Sequence, residues 1–182
     1  MQYFIGIVPP EKELNKLKEF RNQWPTNRID ELVEPHITLK AQGGLVEDES
    51  WLDGVKQAAA EFPAFQIQLG EPRFFGEDIL YLSMDSPELE QLHQVMAETV
   101  GITPEHIDQY FEKDQFLAHM TLAKTAHGLS REDLKEMSAA ATLELGANPA
   151  FGVESIRVYR KAASQDSYAK YLDIPLKSGE KI

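Results

Sequence analysis

A chain of 182 residues is long enough to bury a core without staples, and it contains no cysteine; disulfides, thiolate zinc sites and cysteine nucleophiles are therefore excluded. The formal net charge of -12 repels long polyanions unless basic residues gather in one stripe, and no such stripe is visible, so recognition of an extended duplex is not expected, whereas a nucleotide, a short oligonucleotide or an RNA end stays open. The opening Met1-Gln2-Tyr3-Phe4-Ile5 lacks a basic leader and no apolar run reaches the length of a membrane span, which sets the expectation of a cytoplasmic monomer with no membrane partner.

In chain order, Tyr3 to Val8 reads as a strand stopped by Pro9-Pro10. Leu14, Leu17, Phe20 and Trp24 recur at helical spacing and predict an amphipathic helix, with Lys12, Lys16, Lys18 and Glu19 on its charged side and Pro25 beyond its end. A linker from Thr26 to Glu34 delivers the chain to a strand opened by Pro35. Ser50 with Asp53 predicts a helix start, and Leu52, Val55, Ala59 and Phe62 supply the inner stripe. Phe65 to Leu69, Arg73 to Phe75 and Ile79 to Ser83 read as three short strands with antiparallel connections. Ser86-Pro87 opens the next helix and Gly101 closes it, with Leu89, Leu92, Val95 and Val100 inward; Thr103-Pro104-Glu105 starts a shorter one toward Phe111. After a second motif strand come a helix from Ser130, a strand from Phe151 to Tyr159, a polar loop from Ala162 to Ser167, a last strand near Tyr171 to Pro175, and a frayed end at Gly179-Glu180-Lys181. The fold class is α+β, a single domain over residues 1–182 built from two pseudo-symmetric lobes, with antiparallel sheets flanked by helices around a central cleft.

The chain repeats itself at one point that matters. Pro35-His36-Ile37-Thr38-Leu39 is answered by Ala118-His119-Met120-Thr121-Leu122. On a strand, His36 and Thr38 share one face while Ile37 and Leu39 share the other, and the second copy behaves in the same way. One such unit is an ordinary half-exposed strand. Two, each followed by a Gly-Leu turn, an acidic helical stretch, a Pro and a Phe-led strand, form an internal duplication that would bring one imidazole and one hydroxyl from each half to a shared cleft.

These residues, with Tyr3-Phe4-Ile5-Gly6-Ile7 and Phe116-Leu117 before the second unit, resemble the LigT-like two-histidine (2H) phosphoesterases, the family of the 2′-5′ RNA ligases and RNA 2′,3′-cyclic phosphodiesterases. The sequence departs at Ala118, where the family often has Pro, and at Lys124, where Arg is common. The resemblance implies the duplicated two-lobed fold, no cofactor, and a nucleotide or RNA-end phosphate as ligand. It also implies metal-independent hydrolysis of a 2′,3′-cyclic phosphate or a 2′-5′ phosphodiester, with His36 and His119 dividing the acid and base work and Thr38 and Thr121 donating to the non-bridging oxygens. Which histidine is the acid stays open.

Regular alternation puts Lys40 on the face of His36 and Thr38, as added positive charge for the phosphate, whereas Lys124 has the opposite parity and needs a bulge or strand end to reach the cleft. Tyr159 and Arg160, with Lys161 and Arg73, are candidate rim residues. His93, among Glu90, Gln91 and Gln94, is expected to be exposed, His106 to sit in a first helical turn, and His127 to lie on a loop near the second motif. Phe4, Phe75, Tyr81, Phe111 and Phe116 are all candidates to stack on a base. Two histidines also suit a metal, but a catalytic zinc takes three protein ligands and no third is indicated. A non-catalytic nucleotide- or RNA-end-binding module is the alternative; retention of both His and both Thr argues for catalysis.

Overall fold

The structure, a computed structural model, describes residues 1–145 and 150–178. Its strands are β1 (Gln2–Ile7), β2 (Ile37–Lys40), β3 (Phe65–Phe75), β4 (Ile79–Met84), β5 (His119–Lys124), β6 (Ala150–Val153), β7 (Ser155–Lys161) and β8 (Ala169–Pro175). The helices are α1 (Glu11–Asn22), α2 (Ile29–Leu32), α3 (Leu52–Glu61), α4 (Pro87–Val100), α5 (Pro104–Tyr110) and α6 (Arg131–Glu144). The strands form one sheet in the order β6-β3-β4-β5-β2-β1-β7-β8, every neighbouring pair antiparallel.

That order is palindromic about the β5/β2 junction. Each motif strand has a partner outside it, β1 beside β2 and β4 beside β5, then β7 and β3, then β8 and β6. The chain crosses the junction twice: β2 leads through α3 to β3 in the other half, and β6, reached from β5 through α6 within that half, leads back across to β7. One half, β3 to β6, is therefore a contiguous stretch of sequence, whereas the other is assembled from β1 and β2 at one end of the chain and β7 and β8 at the other.

One face of the sheet is apolar. Ile5, Ile7, Ile37, Leu39, Leu80, Leu82, Met120 and Leu122 are buried there with Leu17 and Phe20 of α1, Val55 of α3, Leu89, Leu92 and Met96 of α4, and Leu134 and Met137 of α6. Local signals set the helix ends. Ser86 accepts from the Leu89 N–H, Pro87 occupies the first turn, and Gly101 closes α4 at φ 73°, a conformation that costs glycine nothing. Thr103 caps α5, with His106 reaching back in a reciprocal box.

Several boundaries differ from the sequence reading. The expected linker from Thr26 to Glu34 contains the single turn α2. Ser50 does not cap α3; its own N–H donates to Asp48 Oδ1 at 3.0 Å, and the helix starts after Trp51 without a side-chain cap. The strands expected at 65–69 and 73–75 are one strand, β3, with an irregularity between Leu69 and Pro72 that absorbs the missing proline N–H. A Cβ on Gly70 there would lie 2.6 Å from Ser83 Oγ, so glycine allows the close approach to β4. The strand expected at 151–159 instead breaks at Glu154: β6 pairs with β3, while β7 pairs with β1 and β8. The expected frayed end at 179–181 and the Pro149 of the repeated pattern lie outside the described residues.

Candidate active site

The two halves meet through a single cross-strand pair, Ile37 opposite Met120. Continuing that antiparallel register sets Thr38 across from His119 and His36 across from Thr121. Side chains directly opposite in such a ladder have Cβ atoms about 4.5–5.5 Å apart, so the two units interlock head to tail. The two histidines are held alike. His36 Nδ1–H donates to the Glu34 carbonyl at 2.8 Å and His119 Nδ1–H to the Leu117 carbonyl at 2.7 Å, each two residues upstream. A carbonyl only accepts, so each Nδ1 carries the proton and each Nε2 carries the lone pair. His36 Nε2 lies 3.3 Å from Thr38 Oγ.

The aromatic surroundings repeat the symmetry. Phe4 stacks on Tyr159 at 4.5 Å beside the His36 ring, and Phe75 stacks on Tyr81 at 4.1 Å beside His119. Tyr159 is buried and donates to Glu34 Oε1 at 2.8 Å, a carboxylate that Arg157 Nη1 also reaches at 2.7 Å; its phenol is pushed well up, first by burial and then by that carboxylate. Tyr159 is thus a support behind His36, with its hydroxyl already engaged, and not a rim residue. Burial pushes His36 down to about 4, opposed by its bond to the Glu34 carbonyl and reinforced by the positive charge of Arg21 and of a protonated His119. Burial also lowers His119, and Lys124 adds to the effect.

Both motif strands bulge at the residue after the threonine. On β2, Thr38 pairs with Gly6 but Lys40 pairs with Ile5, leaving Leu39 as the extra residue. On β5, Thr121 pairs with Tyr81 but Ala123 pairs with Leu80, leaving Leu122 as the extra. An inserted residue reverses the alternation beyond it. Lys40 is therefore turned away from the threonine face into the core, where it is wholly buried and its Nζ donates to Glu112 Oε1 at 2.6 Å and to the carbonyls of Ala41 and Gly43. The expectation that Lys40 faces the phosphate is corrected by that bulge. The same device brings Lys124 back to the face of His119, half-buried and with its ammonium pKa lowered by burial.

Arg160 is also corrected. It sits opposite Tyr3 on the far face of the sheet, its guanidinium 4.1 Å from the centre of the Tyr171 ring. Lys161 alternates to the other face and lies over Tyr168, and Arg73 is exposed on β3. His93, expected at the surface, is buried: Nδ1–H donates to the Leu39 carbonyl at 2.7 Å, Nε2 accepts from the Lys113 N–H at 2.8 Å, and the ring stacks on Phe116 at 3.9 Å. His106 sits in the first turn of α5 and accepts from the Thr103 N–H, and His127 follows β5 in a 3-10 turn.

Sequence reasoning passed over Arg21. It is buried at the end of α1, donates to Asp30 Oδ1 at 2.6 Å and to the Thr121 carbonyl, and lies close enough to His36 to disfavour its protonation. Asn27 holds the next carbonyl, that of Leu122, at 3.2 Å, so the pair fixes the bulged part of β5. The sequence signal was a charged residue on an apolar stripe, since 14, 17, 21 and 24 share a helix face. Among the described residues no group of three or more His, Cys, Asp or Glu side chains could hold a metal ion, and no helix is long and apolar enough to cross a membrane.

A palindromic antiparallel sheet that presents two opposed His-x-Thr strands defines a two-histidine phosphoesterase fold, and solved structures share it. TT0787 of Thermus thermophilus is similar with a TM-score of 0.69 at 17% identity, over 98% of this chain and 99% of that one. E. coli LigT complexed with 3′-AMP gives 0.62 at 16% identity over 97% and 98%, and Kluyveromyces marxianus Usb1 gives 0.53 at 14% over 96% and 97%. No curated protein sequence matches. The family model of the 2′-5′ RNA ligase superfamily matches residues 8–165, and the chain belongs to that superfamily.

Proposed function

We propose that the chain is a metal-independent phosphodiesterase that opens a 2′,3′-cyclic phosphate of a nucleotide or an RNA end, or cleaves a 2′-5′ phosphodiester. Membership of the 2′-5′ RNA ligase superfamily supports phosphoesterase or ligase-type activity. The observation that carries the narrower reading is the paired tautomer: each Nδ1–H is tied to a backbone carbonyl, so two Nε2 atoms are available to exchange protons. Solved structures of E. coli LigT with 3′-AMP, NADP+ and phosphate support a nucleotide or phosphate ligand.

In this mechanism a water oxygen attacks phosphorus and the bond from phosphorus to one ribose oxygen breaks. One neutral imidazole takes the proton of the attacking water. The other, protonated once the anionic phosphate lies between the rings, gives its proton to the departing ribose oxygen. Thr38 and Thr121 donate to the non-bridging oxygens as charge grows there, and Lys124 adds a positive charge on the His119 side. Burial suits the base, because it keeps an imidazole unprotonated at neutral pH.

The test is a panel of nucleoside 2′,3′-cyclic phosphates and 2′-5′-linked dinucleotides, each assayed with and without a chelator. Turnover unaffected by chelation is expected. Turnover that requires added metal would remove the acid/base assignment, and binding without turnover across the panel would leave a nucleotide-binding module.

A further inference from the structure

The seam between the two halves is the thinnest part of the sheet. β2 and β5 share the one registered pair Ile37–Met120, whereas β1 and β2 share three and β4 and β5 five. Beyond Met120, β5 runs past the start of β2 and by the same register faces His36 and then Pro35, which has no N–H to give to a ladder. The carbonyls of this limb are held instead by side chains from the end of α1 and the stretch after it. Arg21 Nη2 donates to that of Thr121, and Asn27 Nδ2 to that of Leu122 at 3.2 Å. The Arg28 N–H then donates to the His127 carbonyl at 2.9 Å, so residues 21–28 splint the limb that carries Thr121 and Lys124.

Stability alone does not account for an arginine in this splint. Its side chain is 2% exposed, and its ion pair with Asp30 at 2.6 Å leaves Arg21 Nε and Asp30 Oδ2 buried without a hydrogen bond among the described residues. Apolar side chains of similar volume commonly stabilise a core as well as such a pair or better. An arginine supplies what they lack: a planar fork that reaches a carboxylate and a carbonyl at once, and a charge that it does not shed. That charge lies beside the His36 and Thr121 pair. The other charged or titratable groups around His36 are Glu34 just ahead of β2, Lys18 of α1 at 3.6 Å from Glu34, Arg157 and Tyr159 of β7, both bonded to Glu34, and His119 of β5. Burial is the main reason that the His36 imidazole resists protonation, and the charge of Arg21 acts in the same sense.

Resting on the hydrolytic reading above, we propose that Arg21 is a positioning residue of the two-histidine site: it holds Thr121 in place from the α1 side of β5 and keeps a fixed positive charge next to His36. It touches no substrate. Loss of its fork frees the Thr121 peptide and weakens a bond that strengthens as charge grows on the non-bridging oxygens, so the effect falls on kcat more than on KM. Its charge acts on the His36 titration whether or not turnover occurs.

The test compares the wild type with Arg21→Lys, which keeps a charge facing Asp30 without the fork, and with Arg21→Met combined with Asp30→Asn, which removes both charges and keeps the volume. The double variant should fold with a urea midpoint near that of the wild type, because no buried charge is left unpaired. Its kcat on a nucleoside 2′,3′-cyclic phosphate should fall by roughly 10- to 100-fold with KM nearly unchanged. The ring resonances of His36, followed by NMR as pH is lowered, should titrate at higher pH than in the wild type. Arg21→Lys should titrate like the wild type and recover only part of the lost kcat. A folded double variant with wild-type kcat, or with an unmoved His36 titration, overturns the proposal. Arg21→Lys with full wild-type kcat overturns it as well, and does so even where the double variant is unfolded. A wild type that turns over no cyclic phosphate removes the hydrolytic reading, and the His36 titration alone then decides whether Arg21 acts on the site.

Discussion

Glu112→Gln isolates the buried ion pair that replaced an expected phosphate contact. The amide keeps the shape of the side chain and an acceptor for the Ala41 N–H, and removes only the negative charge facing Lys40 Nζ at 2.6 Å. Burial already lowers the Lys40 ammonium pKa, and Glu112 is what opposes it. Removing one partner of a buried pair costs about 3–5 kcal/mol. The cost has a ceiling, because Lys40 can shed its proton and still donate to Ala41 and Gly43. From an ordinary lysine pKa near 10.4, deprotonation costs about 4.6 kcal/mol at pH 7 and about 1.9 kcal/mol at pH 9. With the folded pKa depressed, the unfolded chain binds the extra proton, so the variant's stability rises with pH through this window, by up to about 1.4 kcal/mol per unit relative to wild type. Urea unfolding of both proteins at pH 7 and pH 9, followed by tryptophan fluorescence, measures the difference directly. A deficit near zero at pH 7, or one that does not shrink at pH 9, would refute the buried-pair account; adding Lys40→Met to the variant should recover most of the loss.

Three further outcomes are expected. His36→Ala and His119→Ala should each lower turnover on a hydrolysed cyclic phosphate by roughly 10²–10⁴-fold with circular dichroism unchanged, and near-normal turnover in either would remove the mechanism. Because the folded pKa of His36 lies near 4 and the ordinary value near 6.5, its contribution of about 3 kcal/mol is complete above pH 6.5 and is lost as pH falls toward 4; urea midpoints of wild type and His36→Ala across that window should converge toward acid, and parallel curves would contradict the burial of the imidazole. Lys124→Met should raise KM for a cyclic phosphate several-fold with little change in unfolding midpoint, whereas unchanged KM would place that ammonium outside the site.

What the sequence disclosed and what it hid divide along one physical line. Periodicity and caps are local, so the helices around Leu89 and Leu134, and the Ser86-Pro87 and Gly101 boundaries of α4, could be read directly. The duplicated motif was legible because alternation within four residues is local too. A bulge, by contrast, is defined by the partner strand. Nothing in Thr38-Leu39-Lys40 alone announces that Ile5 and Gly6 will leave Leu39 unpaired, yet that choice sends Lys40 into the core and its counterpart choice at Leu122 turns Lys124 toward the cleft. Glu154 breaks a strand for the same kind of reason, since Val153 finds its partner in β3 and Ser155 in β8. His93 was readable and was missed: Leu89, Leu92, His93 and Met96 share one stripe of α4, and all are buried.

The symmetry of the two His-x-Thr units and the asymmetry around them have different origins. His36, His119, their upstream carbonyls, their aromatic pairs and their bulges all belong to a sheet that is palindromic about one strand junction, and a phosphate placed on that axis would meet equivalent groups from either side. Beyond the bulges the equivalence ends. The position turned into the core is Lys40 in one copy and Ala123 in the other. An alanine needs nothing there, whereas a buried ammonium needs a carboxylate, and Glu112 supplies it from the segment between α5 and β5. Glu112 belongs to the segment in which Phe111, closing α5, and Lys113 take left-handed backbone, and that segment lines the flank beside Thr38 and His119. A single lysine on the inner side of a bulge thereby ties the core to the residue that follows Phe111, through the 2.6 Å contact of Lys40 Nζ with Glu112 Oε1.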